Sequence, residues 1–357
     1  MPTSLVSDAV AERLDAFLSR IRSGNAEYGP EAELFLDAAA DTLRGGKRLR
    51  ARFCHAGWVA AGGPEQGDAA LWGLASALEV FQSAALVHDD LIDNSDTRRG
   101  RPAAHRALEA SHRAAGWHGD AEVFGRSSAV LLGDLLVAWS DDLLEEALVR
   151  HPNAGTTRDE YARMRRDVTV GQLLDVTEES AWSTAPPASL LARALRVASL
   201  KSARYSVEQP LVLGASLAGA DADVIRALRD FGHPIGLAFQ LRDDELGVFG
   251  DPAVTGKPAG DDLREGKRTA LIAIAREQLT EGARAELDAA LGDTALSADD
   301  VARLQTVIRE TGAPERVEEL ISQYSAQAET ALTNSVLPAA AVDELRALAS
   351  AAVARSA

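Results

Sequence analysis

The chain has a single cysteine, Cys54, in 357 residues. An intrachain disulfide is excluded, and such sparing thiol use fits a reducing compartment. Aromatic residues make up only 5% of the sequence, and runs of β-branched residues are scarce, which argues for helices over sheet. Basic charge is also in short supply. Thirty-seven Lys and Arg against 54 Asp and Glu leave a net charge of −17, which disfavours nucleic acid or an anionic membrane surface as a partner. No stretch approaches the ~18 apolar residues expected of a membrane helix. The segment from Met1 to Asp8 carries neither a basic n-region nor an apolar h-region. The expectation is a soluble, cytoplasmic protein with no membrane span.

What is present is apolar, small and periodic. Hydrophobic residues account for 46% of the chain, enough for a large core. Val10, Leu14, Phe17 and Ile21 recur at helical spacing over residues 7–22. A second helix opens at Pro30 and ends at Gly45-Gly46. The stretch 66–93 carries Leu71, Leu74, Leu78, Val80, Phe81, Leu86 and Val87, which predicts a long central helix of a bundle. Residues 103–126 hold His105, His112 and His118 at irregular, glycine-interrupted spacing. They read as a surface loop with a short helix rather than a metal site. Further helices are predicted over 127–149 and 159–179, and from Pro186-Pro187 to Lys201-Ser202. Amphipathic helices without evident chemistry follow from residue 270. No linker divides the chain, so residues 1–357 are expected to form one domain.

The 66–93 helix ends in Asp89, Asp90 and Asp93. Asp89 and Asp93, four residues apart, project from one face. Like charges at an apolar helix end repel and resist desolvation, so either this end is solvated or a cation sits on it. Carboxylate oxygens suit a hard ion such as Mg²⁺, which binds through one or two carboxylates plus substrate phosphates. Two basic elements flank these acids: Lys47-Arg48-Leu49-Arg50 after the glycine pair, and Arg98-Arg99-Gly100-Arg101 after the aspartates. They serve either as partners of a helix terminus and of the aspartates, or as an anion seat. A polyphosphate would satisfy both halves.

The device recurs. Phe239-Gln240-Leu241-Arg242-Asp243-Asp244 ends an apolar run, followed by a glycine- and proline-rich loop with Lys257 and then by Gly266-Lys267-Arg268. Two such devices facing across a bundle would make a multi-metal site closed over by lysines. Between them, Gln172 and Asp175 share a helix face, as a structural pair or as part of the site. Lys201 lies in an apolar stretch, where a lysine either snorkels or has an anionic partner.

In order along residues 30 to 280, these elements resemble the trans-isoprenyl diphosphate synthases, the polyprenyl synthetase family. The resemblance rests on Gly-Gly-Lys-Arg-x-Arg at 45–50, Asp-Asp-x-x-Asp at 89–93 and Arg98-Arg99-Gly100. Gly171-Gln172-x-x-Asp175, Lys201-Ser202, Phe239-Gln240-x-x-Asp243-Asp244 and the late Gly-Lys pairs complete it. It implies an all-α, single-domain bundle of long helices around a deep central cavity, the isoprenoid synthase type I fold. It also implies a homodimer and three Mg²⁺ ions. Asp89 and Asp93 would hold two of them with Asp90 in support, and Asp243 the third, helped by Asp244. Arg98, Lys201 and Lys257 would neutralise the diphosphate of an allylic substrate (dimethylallyl, geranyl or farnesyl). Lys47, Arg50 and Arg99 would bind isopentenyl diphosphate, Gln172 would contribute to substrate binding, and Lys267 would help close the site. Ser202 and Gln240 would stabilise an allylic cation.

Four positions depart from the family pattern. Ala51 replaces a frequent proline, Ser202 a threonine, and Gln82 a histidine that contacts isopentenyl diphosphate; the Gln82 amide can still donate, so it is expected to keep binding that substrate. Gly247 stands at the last position of the second motif, where aspartate is frequent, so no carboxylate comes from that position. In the family the growing tail runs below the first aspartates. Ala84 and Ala85 are small there, and Phe81 lies eight positions back, about 12 Å along the helix. The implied product is geranylgeranyl diphosphate, with longer chains as the alternative. A class I terpene cyclase would lack the Gly-Gly-Lys-Arg element, and a non-catalytic subunit would be expected to lose carboxylates that this chain keeps.

Overall fold

Leu71, Leu74 and Leu78 recur at helical spacing and are fully buried, so the helix that carries them has little solvent-facing surface. This is α4 (Ala69–Ile92), capped by the Asp68 side chain, which accepts from the Leu71 amide at 2.8 Å. The computed structural model describes residues 3–24, 27–251 and 260–354. Around α4 pack α1 (Thr3–Gly24), α3 (Leu49–Ala60) and α6 (Ala121–Leu148), sharing one core cluster with Phe17, Leu132, Leu136 and Tyr161. The last belongs to α7 (Ala154–Ala181). Contrary to the composition reading, α4 is long and apolar enough to cross a membrane. However, 72% of its apolar window is buried inside the protein, the signature of a core helix.

A second layer completes the bundle. A short 3₁₀ turn at Pro187–Ser189 leads into α8 (Leu190–Val197), a π-helical segment Ala198–Glu208 and α9 (Gln209–Ala218). The helix predicted to start at Pro186-Pro187 therefore begins three residues later, and Lys201-Ser202 lie in the π segment. Both α7 and α10 (Ala222–Phe249) pack against that segment. The helices 261–265, 270–278, 298–310 and 313–333 build a separate core cluster with α8 and α10.

The region 103–126 holds the expected short helix, but that helix is packed inside rather than carried on a surface loop. Ala104–Ala114 is α5, which follows α2 (Pro30–Thr42) in packing onto α6, and both His105 and His112 are buried. Their periodicity was masked by arginines and Glu109 on the same helix. Among the described residues, strand structure is confined to one hairpin, β1 (Thr97–Arg98) and β2 (Arg101–Pro102), in antiparallel register.

Candidate active site

The C-terminal ends of α4 and α10 open into a shared cavity of about 1000 Å³. Asp89 and Asp93 line it from α4, and Asp243 and Asp244 from α10. Gln172 and Asp175 come from α7, and Lys201, Ser202 and Tyr205 from the π segment. Gly171 allows this convergence: a Cβ there would stand 2.7 Å from the Lys201 Cα, so α7 and the π segment touch backbone to backbone. Irregular π geometry at such a place is a recurrent feature of functional sites.

Each oxygen of Asp89 has a donor. Lys201 Nζ lies 2.9 Å and Gln172 Nε2 3.3 Å from Oδ1, while Arg98 lies 3.4 Å from Oδ2. Lys201 also donates to Asp175 at 2.6 Å, which identifies the anionic partners of that half-buried lysine. Burial pushes the Asp89 carboxyl up, but Lys201, Lys267 and Arg98 outweigh it and hold the group well below the usual carboxylate range. Asp93 is ion-paired with Lys267, yet burial and the Asp89 charge leave it raised. Lys267, expected only to help close the site, is central. It reaches Asp93, Asp175 at 3.5 Å and Glu265 at 4.0 Å, and these acids raise its pKa against the effect of burial.

Asp90 and Arg98 correct the expectation. Asp90 is 3% exposed and does not line the cavity; Arg98 Nε donates to it at 2.7 Å. Arg98 is thus committed to the first aspartate pair, and Asp90 supports the site by anchoring it. The anchor is geometric: Arg99 and Gly100 have φ of 54° and 71°, the positive values that a two-residue hairpin turn requires. The turn sends Arg98 back to α4 and Arg99 toward Gly46, whose added Cβ would lie 3.0 Å from the Arg99 guanidinium.

A second basic seat forms there. Lys47, Arg48, Arg50 and Arg99 line the cavity with Gln82 and Glu79. Arg50 donates to Ser206 Oγ at 2.6 Å and lies 4.2 Å from the centroid of the Tyr205 ring. Glu79, almost fully buried, accepts from the Ala51 amide at 3.1 Å and stands 3.5 Å from Arg48. Burial and the neighbouring arginines lower the pKa of Arg99. Gln82 Oε1 is buried without a hydrogen-bond partner among the described residues.

On α10, Gln240 donates to Asp244 at 2.6 Å. Burial, aided by Asp262 and Asp243, raises the Asp244 carboxyl well above its ordinary range. Lys257 lies outside the described residues. Of the three residues expected to set cavity depth, Ala85 lines the wall; Ala84 and Phe81 lie behind it in the core. Phe81 packs edge-on to Tyr161 at 6.4 Å and Tyr205 at 5.8 Å, and Tyr205 is the ring that faces the cavity. Sequence reasoning missed Glu79, Tyr205, Asp262 and Glu265. Glu79 alone carried a signal, as one acid in the apolar run Ala75–Phe81.

Among the described residues no three His, Cys, Asp or Glu side chains stand close enough to cage an ion. The donor set nonetheless fits Mg²⁺, which needs one or two carboxylates and completes its shell with phosphate and water. Burial raises the carboxyls of Asp93 and Asp244, and the neighbouring acids add to it.

The sequence matches the polyprenyl synthetase family model over residues 32–308. It is similar to a geranylfarnesyl diphosphate synthase of Aeropyrum pernix, 31% identical over 292 residues, covering 81% of this chain and 83% of that one. It is 34% identical over 276 residues to a geranylgeranyl diphosphate synthase of Mycobacterium tuberculosis, covering 75% of this chain and 69% of the other. Its structure superimposes on a geranylgeranyl pyrophosphate synthase from Corynebacterium glutamicum, solved with isoprenyl diphosphate and magnesium. The TM-score is 0.91 at 40% identity, covering all of both chains. The chain belongs to the polyprenyl synthetase family.

Proposed function

We propose that the protein is a trans-prenyltransferase that joins isopentenyl diphosphate to allylic diphosphates (dimethylallyl, geranyl and farnesyl). The proposed product is all-trans geranylgeranyl diphosphate. The observation that carries this reading is that one cavity holds two distinct anion seats. One is cationic by itself: Lys47, Arg48, Arg50 and Arg99 against Glu79 give 4 − 1 = +3. The other combines carboxylates with Lys201 and Lys267, the mixture that suits a metal-bridged diphosphate.

Asp89, Asp93 and Asp243, with Asp244 behind them, would hold three Mg²⁺ ions whose charge neutralises the departing diphosphate. Lys201 and Lys267, already poised on the same acids, add fixed positive charge at that seat. The allylic C–O bond breaks with both electrons leaving on the diphosphate. The Ser202 hydroxyl and the Gln240 side-chain oxygen, on residues that line the cavity, would stabilise the resulting cation, with Asp244 orienting Gln240. The basic seat positions isopentenyl diphosphate, whose double bond attacks the cation. Loss of a proton to the released diphosphate then restores neutrality, so no protein base is needed. Chain growth runs past Ala85, with the Tyr205 ring, braced by Phe81, limiting depth.

The chain is read as one polyprenyl synthetase domain over 1–357, acting in the cytoplasm without a membrane span or nucleic acid. Exposed Val123, Val130 and Leu131 on α6, and Val170, Leu173 and Val176 on α7, support pairing with a second copy as a homodimer. The test is incubation with isopentenyl diphosphate, each allylic diphosphate and Mg²⁺. Geranylgeranyl diphosphate supports the reading; a cyclised hydrocarbon or no turnover overturns it.

A further inference from the structure

The basic loop between α2 and α3 has an unusual backbone. Gly45, Gly46 and Arg48 all take positive φ, at 71°, 85° and 49°. An arginine holds a left-handed conformation only where its surroundings fix it. Arg48 is also the N-cap of α3, and its side chain offers no acceptor to the free amides of the first turn. Both deficits are met from α4. Glu79 accepts from the Ala51 amide at 3.1 Å, capping the third residue of α3 from outside that helix. Its other oxygen lies 3.5 Å from the Arg48 guanidinium, and both side chains are buried. One turn further along α4, Ser83 donates to the Thr42 carbonyl at 3.1 Å, where the loop begins. Arg48 closes the frame by donating to the Leu43 carbonyl at 2.6 Å. The loop is thus gripped at both ends, and the neighbours fixed in place are Lys47 and Arg50 on the cavity wall.

We propose that Glu79 is a positioning residue for the cationic seat: by fixing the loop through Arg48 and the Ala51 amide, it sets the affinity for isopentenyl diphosphate and not for the allylic substrate. This deepens the two-seat reading above and rests on it. The sign of the effect separates position from charge. Removing a carboxylate beside a diphosphate would by itself strengthen the attraction of that seat for the anion. Weaker binding in Glu79 variants therefore reports the lost frame.

The test is steady-state kinetics with Mg²⁺, each substrate varied at saturation of the other. Glu79→Ala removes both the cap and the partner of Arg48, and is expected to raise the KM for isopentenyl diphosphate about tenfold or more. The KM for farnesyl diphosphate should stay within about twofold of the natural value. Glu79→Gln keeps an acceptor for the Ala51 amide and should recover part of the loss, leaving a rise of about threefold. Arg48→Met should resemble Glu79→Gln, and the double variant E79Q/R48M should add little, because both changes break the same link. A general loss of structure would instead lower the melting temperature and raise both KM values together. Should Glu79→Ala fail to fold, the near-isosteric Glu79→Gln and Arg48→Met carry the test. An isopentenyl diphosphate KM that holds or falls in Glu79→Gln, or that rises equally for both substrates, overturns the proposal. Absence of turnover in the natural protein would remove the two-seat reading itself, and this proposal with it.

Discussion

Asp89 and Asp244 end two apolar helices built on the same plan, but in opposite electrostatic settings. Asp89 receives Lys201, Gln172 and Arg98 and is held ionised far into acid. Asp244 accepts from the neutral amide of Gln240, faces Asp243 and Asp262, and is pushed toward the protonated form. Asp89 is therefore already charge-balanced, whereas ionised Asp244 becomes favourable only when further positive charge arrives. The segment 261–267 couples them, since Asp262 sits at the second end and Lys267 reaches Asp93 at the first. Glu265 adds a tie, accepting from Ser95 in the loop after α4.

The comparison breaks if one acid end is dispensable. Asp89→Ala and Asp243→Ala are each expected to lower kcat by about 10³-fold or more, as for other losses of preorganised charge stabilisation. Steady-state kinetics with farnesyl diphosphate and saturating Mg²⁺ would show it. Lys267→Met tests the balanced end. Both partners of its pair with Asp93 are buried (13% and 4% side-chain exposure), so leaving Asp93 alone should cost about 3–5 kcal/mol of stability. Denaturant unfolding without metal should register that loss, and Mg²⁺ with the substrate analogue should recover part of it.

The pH dependence sharpens the contrast. Asp93 and Asp244 have folded-state pKa values above those of the unfolded chain. Between the two values the folded protein binds more protons, so metal-free stability falls as pH rises above the ordinary aspartate range. Asp89 is lowered, so its contribution is present above the ordinary aspartate range and is lost only as pH falls far below it. Metal binding needs ionised carboxylates and should strengthen over the same window in which metal-free stability declines. Melting curves in chelator and Mg²⁺ titrations across pH would follow both slopes, and Asp244→Asn should flatten each.

The helices also differ one turn before their acids. Four residues before Asp89 stands Ala85, and four before Asp243 stands Phe239, both on the cavity wall. On the proposed reading the growing tail runs along the α4 side, where Ala85 leaves space. Ala85→Phe is expected to shorten the main product to farnesyl diphosphate, read by chromatography of the dephosphorylated alcohols. Phe81→Ala, acting through Tyr205, should give a smaller shift toward longer chains; an unchanged profile would remove Phe81 from the account.

Much of this site was legible because its parts are local. Asp89 and Asp93 share a face by helical spacing alone, and the glycine-flanked basic runs stand out in an acidic chain. What escaped depends on tertiary approach. Asp262 reaches the cavity wall from a separate helix and lies against Gly247, and Asp90 turns inward because the Arg99-Gly100 turn delivers Arg98 to it. Helix boundaries shifted where a π segment replaced a regular turn around Lys201. A short helix was legible at α5 but its burial was not, because its inward face sets Leu108 among His105, Glu109 and His112.

The central claim is that two unlike acidic ends grip one diphosphate. Calorimetric binding of the farnesyl thiolodiphosphate analogue with and without Mg²⁺, to the natural protein, Asp89→Asn and Asp243→Asn, tests it most directly. The expected result is tight binding only with Mg²⁺ in the natural protein and at least tenfold weaker binding in both variants. Metal-dependent binding of natural strength in Asp243→Asn would contradict it.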